Sequence, residues 1–196
     1  MSGRALLIIV TGPPGAGKST IARDLGRLLS LPVLHKDGLK EAIVDEIGAA
    51  DLAASQLAGQ AAFAALYATA GALLDASADV ILEANFRRGL SEHGLRPLVG
   101  HAAETVIVQC EAPAAVVVGR YRRRIGSRHQ AHFDAERLAT VEQDALDGST
   151  YELDLPARLI RVDTSGLEPH PSVKEISDGL RGALRGPVGS SGGPRP

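Results

Sequence analysis

The sequence predicts one α/β domain in which helices cover both faces of a parallel β-sheet. Short apolar runs rich in β-branched residues alternate with segments of helical periodicity, which is the pattern of parallel strands joined by crossover helices. The first apolar run ends directly in a glycine-rich segment, residues 11–20. The length of 196 residues suits one domain with a substantial core and is short for two.

Strands and helices are expected to alternate along most of the chain. The strands are predicted at residues 5–10, 31–35, 79–83, 105–110 and 158–162. The first helix has apolar residues at helical spacing from Ile21 to Leu29 and should end near Ser30 and Pro32. The other helices are predicted at residues 38–47, 51–76 (alanine-rich), 90–101, 114–125, 135–146 and 171–184. Residues 1–185 should therefore form the domain, and residues 186–196, almost all Gly, Ser, Pro and Arg, a flexible tail.

Composition is that of an ordinary soluble protein. The net charge is −2 and 44% of the residues are hydrophobic, so the overall balance signals neither a nucleic-acid partner nor an acidic tail. Cys110 is the single cysteine, so no internal disulfide can form, and burial as a small apolar residue accounts for it. The N-terminus does not resemble a signal peptide, and no stretch is expected to approach the length of a membrane span. We therefore expect a cytoplasmic protein with no membrane partner.

The glycine-rich segment is expected to bind nucleotide phosphates. Gly12, Gly17, Lys18 and Ser19 fill the pattern Gly-x-x-x-x-Gly-Lys-Ser between a predicted strand and a predicted helix. Glycines let backbone N–H groups wrap the β- and γ-phosphates, and the helix directs its positive end at the same anion. Lys18 supplies a positive charge, and the Ser19 hydroxyl can ligate Mg²⁺. The predicted nucleotide-binding residues here are Gly12, Pro13, Pro14, Gly15, Ala16, Gly17, Lys18, Ser19 and Thr20.

Asp37 follows the second predicted strand, at the edge where open α/β sheets place functional groups beside the first loop. Its carboxylate could accept the proton of an attacking hydroxyl or hold a water bound to Mg²⁺. It could also cap the helix expected to start at Gly38, because aspartate is a favoured N-cap residue. The two roles are compatible.

The third predicted strand ends in a second group of polar residues. Glu83 occupies the place where phosphate-loop proteins usually put a carboxylate on the magnesium side, either in direct contact or through water. It could instead pair with a nearby basic group. Asn85 and Arg87 follow it and are candidates for binding the acceptor substrate, together with Glu83.

The densest positive region, residues 120–134, is predicted to be a lid over the nucleotide. Lid arginines would neutralise charge on the transferred phosphoryl group and exclude water, although a solvated basic helix or a nucleic-acid patch would have the same composition. We expect Arg120, Arg124 and Arg128 to contact phosphate, and Arg122 and Arg123 to face water. The catalytic candidates are Lys18, Asp37, Arg124 and Arg128, with Arg120 assigned to nucleotide binding.

The loop after the last predicted strand lies on the same rim of the sheet as the glycine-rich segment. Asp163 and Thr164 are therefore candidates for contacting the adenine, although a plain turn would have a similar sequence.

Together these residues resemble the small P-loop kinases of the adenylate-kinase-like group, in particular the ATP-binding kinases related to zeta toxins, chloramphenicol phosphotransferase and polynucleotide 5'-hydroxyl kinases. The matching segments are residues 12–20, 37, 80–86, 120–132 and 163–165. The resemblance implies a three-layer α/β/α fold with a five-stranded parallel sheet in the order 2-3-1-4-5, ATP and Mg²⁺ as cosubstrates, Asp37 as general base and the arginine segment as lid. It does not identify the acceptor.

The sequence thus favours a kinase that moves the γ-phosphate of ATP to the hydroxyl of a small molecule. An ATPase without an acceptor and a polynucleotide 5'-hydroxyl kinase stay open as alternatives, although the near-neutral charge disfavours a nucleic-acid partner. A GTP switch is disfavoured, because the chain lacks an Asn-Lys-x-Asp motif. The oligomeric state is not predicted.

Overall fold

A computed structural model describes residues 5–147 and 149–185. Its centre is a five-stranded parallel sheet in the order β2-β3-β1-β4-β5, which confirms the predicted strand order. The strands are β1 (Leu6–Thr11), β2 (Val33–His35), β3 (Val80–Glu83), β4 (Glu104–Glu111) and β5 (Arg158–Asp163). Strand β2 begins two residues later than expected because Pro32 has no N–H for the ladder; its carbonyl accepts from the N–H of Ile81 instead. The predicted tail, residues 186–196, lies outside the described residues.

Helices cover both faces of the sheet, at close to the predicted positions. They are α1 (Lys18–Leu29), α2 (Lys36–Ile47), α3 (Leu52–Asp75), α4 (Glu92–His101), α5 (Ala114–Arg124), α6 (Leu138–Leu146) and α7 (Val173–Arg185), with a short 3-10 helix at Gln130–His132. Helix α2 begins before Gly38 and its N-cap is His35. The expectation that Asp37 caps this helix is therefore wrong: Asp37 lies inside the first turn, where a negative charge favours the helix dipole.

The core forms two layers of apolar side chains, one on each side of β1. All six residues of β1 are buried. Because side chains alternate along a strand, Leu6, Ile8 and Val10 pack with α1 and α7, whereas Leu7 and Ile9 pack with α3 and α4. This packing holds the carboxyl end of β1 rigidly, and the glycine-rich segment starts there.

Helix α3 is 24 residues long and strongly apolar. By length and composition alone it could cross a membrane, so the expectation that no stretch approaches that length is wrong. Its alanines account for this composition. In the structure, Ala62, Leu66 and Ala70 are fully buried within the domain, and α3 packs against α2 and α4.

Candidate active site

The glycine-rich segment forms a tight loop between β1 and α1. Gly12, Gly15 and Gly17 all have positive φ angles, of 139°, 93° and 76°. A Cβ on Gly12 would lie 2.3 Å from the carbonyl oxygen of Cys110, and a Cβ on Gly15 would lie 2.8 Å from that of Val117. Only glycine fits these positions, so the loop can turn its backbone N–H groups and the first turn of α1 toward a common anion.

Lys18 places a buried ammonium group at the centre of this loop. Its Nζ donates to the carbonyl oxygen of Pro13 at 2.9 Å, and none of the ion pairs among the described residues includes it. Burial lowers the pKa of Lys18, and the negative charges of Glu83 and Asp37 partly oppose that shift. A buried cation without a direct carboxylate partner is suited to bind phosphate.

Asp37 faces this loop from the start of α2. Its Oδ2 accepts from Nη2 of Arg128 at 2.8 Å, and its Oδ1 lies 3.3 Å from Nζ of Lys36. Burial opposes the charged form, but Lys36, Arg128 and His132 outweigh it and hold the pKa of the Asp37 carboxyl well below its usual range. Asp37 is therefore ionised at neutral pH, and 42% of its side chain is still exposed in the cleft.

Glu83 ends β3 between the loop and Asp37. The side chain is almost fully buried, and its Oε2 accepts from Nδ1 of His35 at 3.0 Å. Glu83 thus pairs with a nearby basic group, as one of the two alternatives expected. It also lines the cleft beside Asn85. Sequence reading missed His35 as a partner, because only the pairing of β2 with β3 brings them together.

Two buried side chains hold the lid arginines in place. The hydroxyl of Tyr121 donates to Oδ1 of Asp134 at 2.9 Å, and the guanidinium of Arg124 lies 4.4 Å from the centre of the Tyr121 ring. Nη1 of Arg128 lies 3.5 Å from the same Asp134 oxygen. Burial, assisted by the charge of Asp134, raises the pKa of Tyr121 to about 12, so its hydroxyl keeps its proton.

The tip of the lid rests on α2. Nε2 of His132 lies 2.6 Å from Oε1 of Glu41 and 2.9 Å from Nη2 of Arg128; this nitrogen can donate to the first or accept from the second. His129 lies 2.9 Å from Asp45 of the same helix. These contacts join the predicted lid segment to the helix that carries Asp37.

Arg120 joins the lid to the loop after β5. Its Nη2 donates to the carbonyl oxygen of Thr164 at 2.7 Å, and the Thr164 hydroxyl lies 3.1 Å from the carbonyl oxygen of Ala16. A cavity of about 610 Å³ opens beside these residues and is also lined by Gly17 and Pro169. It adjoins the phosphate loop and is large enough for a nucleotide base.

The structure brings most of the predicted site residues into one cleft of about 290 Å³. The loop contributes Pro14, Gly15, Gly17, Lys18, Ser19 and Thr20. The strand ends contribute Asp37, Glu83 and Asn85, and the lid contributes Arg120, Arg124 and Arg128. Gly12 and Ala16 are buried beneath the loop, and Thr164 lines the neighbouring cavity.

Three further predicted residues, Pro13, Arg87 and Asp163, do not line the cleft. Pro13 belongs to the loop, where its carbonyl oxygen accepts from Lys18. Arg87 donates two hydrogen bonds, of 2.5 and 3.0 Å, to the carboxylate of Asp144 on α6. The Asp163 carboxylate accepts from the backbone N–H of Ser165 at 2.8 Å and organises a turn. Conversely, sequence reading missed the cleft residues Tyr121, His132, Asp134 and Arg137.

The cleft has the charge that a magnesium-bound nucleotide requires. Five basic side chains, Lys18, Arg120, Arg124, Arg128 and Arg137, face three carboxylates, Asp37, Glu83 and Asp134. The excess of positive charge fits a triphosphate. The hydroxyl of Ser19 and the carboxylate of Glu83 line this cleft and are oxygen donors of the kind that Mg²⁺ prefers.

This fold and this cleft define a kinase-like P-loop protein, whose fold binds nucleotide. The chain belongs to the AAA_33 family, described as an AAA domain, which matches residues 7–145. The resemblance to small P-loop kinases is thereby confirmed. No curated protein sequence matches the chain.

Solved structures show the same relationship. The protein described as "putative kinase" from Chloroflexus aurantiacus J-10-fl has a TM-score of 0.82 and 34% identity, over 92% of this chain and 99% of that one. Kti12 from Chaetomium thermophilum, solved with ADP-AlF3, has a TM-score of 0.61 and 19% identity over 91% and 98%. A gluconokinase from Sinorhizobium meliloti 1021 has a TM-score of 0.52 and 17% identity over 91% of both chains. The last two show the fold alone.

Proposed function

We propose that the protein is an ATP-dependent phosphotransferase that moves the γ-phosphate to a hydroxyl of a small molecule. The observation that carries this proposal is the position of Asp37. An ionised carboxylate faces the phosphate loop across a cleft that Lys18 and the lid arginines also line. A hydroxyl entering between them would meet a proton acceptor on one side and a bound triphosphate on the other.

The loop and α1 hold the triphosphate in this proposal. Backbone N–H groups and the Lys18 ammonium bind the β- and γ-phosphates, and the Thr164 side of the neighbouring cavity receives the adenine. Ser19 and Glu83 would hold Mg²⁺, which would neutralise charge that develops on the phosphate oxygens.

Asp37 orients the acceptor hydroxyl and takes its proton. Its low pKa makes it a weak base, but phosphoryl transfer passes through a loose transition state in which the hydroxyl becomes acidic late. The bonds to Arg128 and Lys36 leave lone pairs on the carboxylate free, because a carboxylate has about four acceptor sites. Arg124 and Arg128, which contacts with Tyr121 and Asp134 hold in place, face the transferred phosphoryl group.

The single cysteine and the composition also support the prediction of a cytoplasmic location.

Two alternatives to the small-molecule kinase are tested together with it. An ATPase would release phosphate to water, and a polynucleotide kinase would phosphorylate the 5' end of an oligonucleotide.

A screen with ATP labelled in the γ-phosphate tests the proposal. Sugars, polyols, nucleosides, aminoglycosides and oligonucleotide 5' ends are offered in turn, and a reaction without acceptor measures hydrolysis. We expect transfer to a small molecule to exceed hydrolysis clearly. Equal phosphate release with and without every small acceptor, or transfer to oligonucleotide ends only, would contradict the proposal.

A further inference from the structure

The cleft contains a guanidinium to which the proposed binding of the triphosphate assigns no role. Arg137 precedes α6, lines the cleft and is half-buried. Among the described residues its side chain forms neither an ion pair nor a hydrogen bond. In the proposed function Lys18, Arg120 and Arg124 bind the phosphates, so Arg137 is available for another anion.

Two further cations lie behind Asp37. Lys36 and Lys40 are one turn apart on α2 and face α3, and these two residues are only 6% and 2% exposed. Both side chains lie against Gly59 of α3, where a Cβ would be in van der Waals contact with Nζ of Lys36 and Cε of Lys40. Nζ of Lys40 donates to Oγ of Ser55 at 2.6 Å and has no carboxylate partner within the part of the chain that the structure describes.

The charges on this side of the cleft do not balance. Asp37 is the carboxylate partner of both Lys36 and Arg128, and Arg128 also lies 3.5 Å from Asp134. Lys40 and Arg137 have no carboxylate partner among the described residues. Burial is the main cause that lowers the pKa of Lys40 to about 8, and the nearby charges of Lys36 and Arg137 contribute to the same shift. Buried cations without counter-ions are unfavourable, and a bound anion would stabilise them.

We propose, on the basis of the proposed phosphotransfer, that the acceptor alcohol itself carries an anionic group, a carboxylate or a phosphate. Arg137 contacts this group directly. Lys36 and Lys40 do not line the cleft, so they act on the acceptor through the positive potential that they add to it. Arg137 is thus a residue that determines acceptor specificity.

Matched acceptors that differ only in charge test this inference. Glycerol, glycerate and glycerol 3-phosphate form one such set, and glucose, gluconate and glucose 6-phosphate form another. We expect kcat/KM for a charged member to exceed that of its neutral parent at least about tenfold, since a charge-assisted hydrogen bond contributes roughly 10- to 100-fold. The carboxylate and phosphate members show which anion the site takes.

Arg137→Gln should remove this preference. It should lower kcat/KM for the charged acceptor roughly 10- to 100-fold and leave the neutral parent and the KM for ATP unchanged, whereas Arg137→Lys should retain part of the preference. Arg123→Gln is the matched control, because Arg123 is exposed on the same lid and should change neither acceptor.

Two results would overturn the inference. One is equal use of charged and neutral acceptors by the wild type. The other is an Arg137→Gln variant with a raised KM for ATP and unchanged discrimination, which would place Arg137 on the triphosphate. If label appears only in free phosphate, the proposed function fails. Calorimetry of the same acceptors on protein loaded with a non-hydrolysable ATP analogue then tests the anion site separately. If none of the charged acceptors binds, the anion site is contradicted as well.

Discussion

Replacing Asp37 by asparagine removes the proposed base while keeping its shape. Asparagine retains one carbonyl oxygen for the bond that Arg128 now donates at 2.8 Å, but it cannot take a proton. A positioned general base contributes roughly 10²- to 10⁴-fold, so we expect kcat for phosphoryl transfer to fall by about that factor. Affinity for ATP should be retained, because the phosphate-binding loop is untouched.

The effect of Asp37→Asn on stability should be small. The side chain is 42% exposed, and ion pairs of this kind contribute at most about 1 kcal/mol to the free energy of unfolding.

The pH dependence of kcat in the wild type has a definite sign. Because the pKa of Asp37 is held below its usual range, the base is ionised above that pKa, and kcat of the wild type should not fall between about pH 8 and pH 5 through this group.

Rapid-quench measurement of labelled product gives the rate of the chemical step for both proteins. Asp178→Asn is a matched control, since Asp178 lies on α7, pairs with Lys174 and is outside the cleft. Product formation by Asp37→Asn at the wild-type rate would refute the role of Asp37 as base. A loss of ATP binding in this variant would instead show that Asp37 acts on the nucleotide.

Three further substitutions test parts of the site. Gly12→Ala places a Cβ 2.3 Å from a carbonyl oxygen of β4 and should lower the free energy of unfolding by roughly 1–3 kcal/mol in denaturant titration; Gly119→Ala, with open space around it, should not destabilise the protein. Tyr121→Phe leaves the buried Asp134 carboxylate without its 2.9 Å hydrogen bond and should lower the free energy of unfolding by about 1–3 kcal/mol in the same titration. An unchanged midpoint would show that this hydrogen bond does not stabilise the protein. Glu83→Gln should raise the Mg²⁺ concentration for half-maximal activity roughly 10- to 100-fold, and an unaltered magnesium dependence would place Glu83 away from the metal.

Local spacing explains what could be predicted from the sequence. The phosphate loop is one continuous segment whose glycines meet local backbone requirements, so its residues and its place after β1 were evident. Helical periodicity similarly separated Arg120 and Arg124, which line the cleft, from the exposed Arg122, which pairs with Glu142.

Contacts between distant segments explain what could not be predicted. Arg87 follows β3 much as Asn85 does, but its guanidinium pairs with Asp144, 57 residues further on, and nothing local signals that pairing. The same holds for Tyr121 and Asp134, which meet because the lid folds back on itself. Arg137 was missed because it lies beyond the arginine-rich segment in the chain and reaches the cleft only through the position of α6.

Binding of nucleotide at the loop beside Asp37 is the central claim, and calorimetry with a non-hydrolysable ATP analogue and Mg²⁺ tests it most directly. The wild type should bind one equivalent, and Lys18→Met, which keeps the apolar stem and removes the charge, should lose most of this affinity while staying folded. Absence of binding by the wild type to adenine and guanine nucleotides alike, or equal binding by Lys18→Met, would contradict the account.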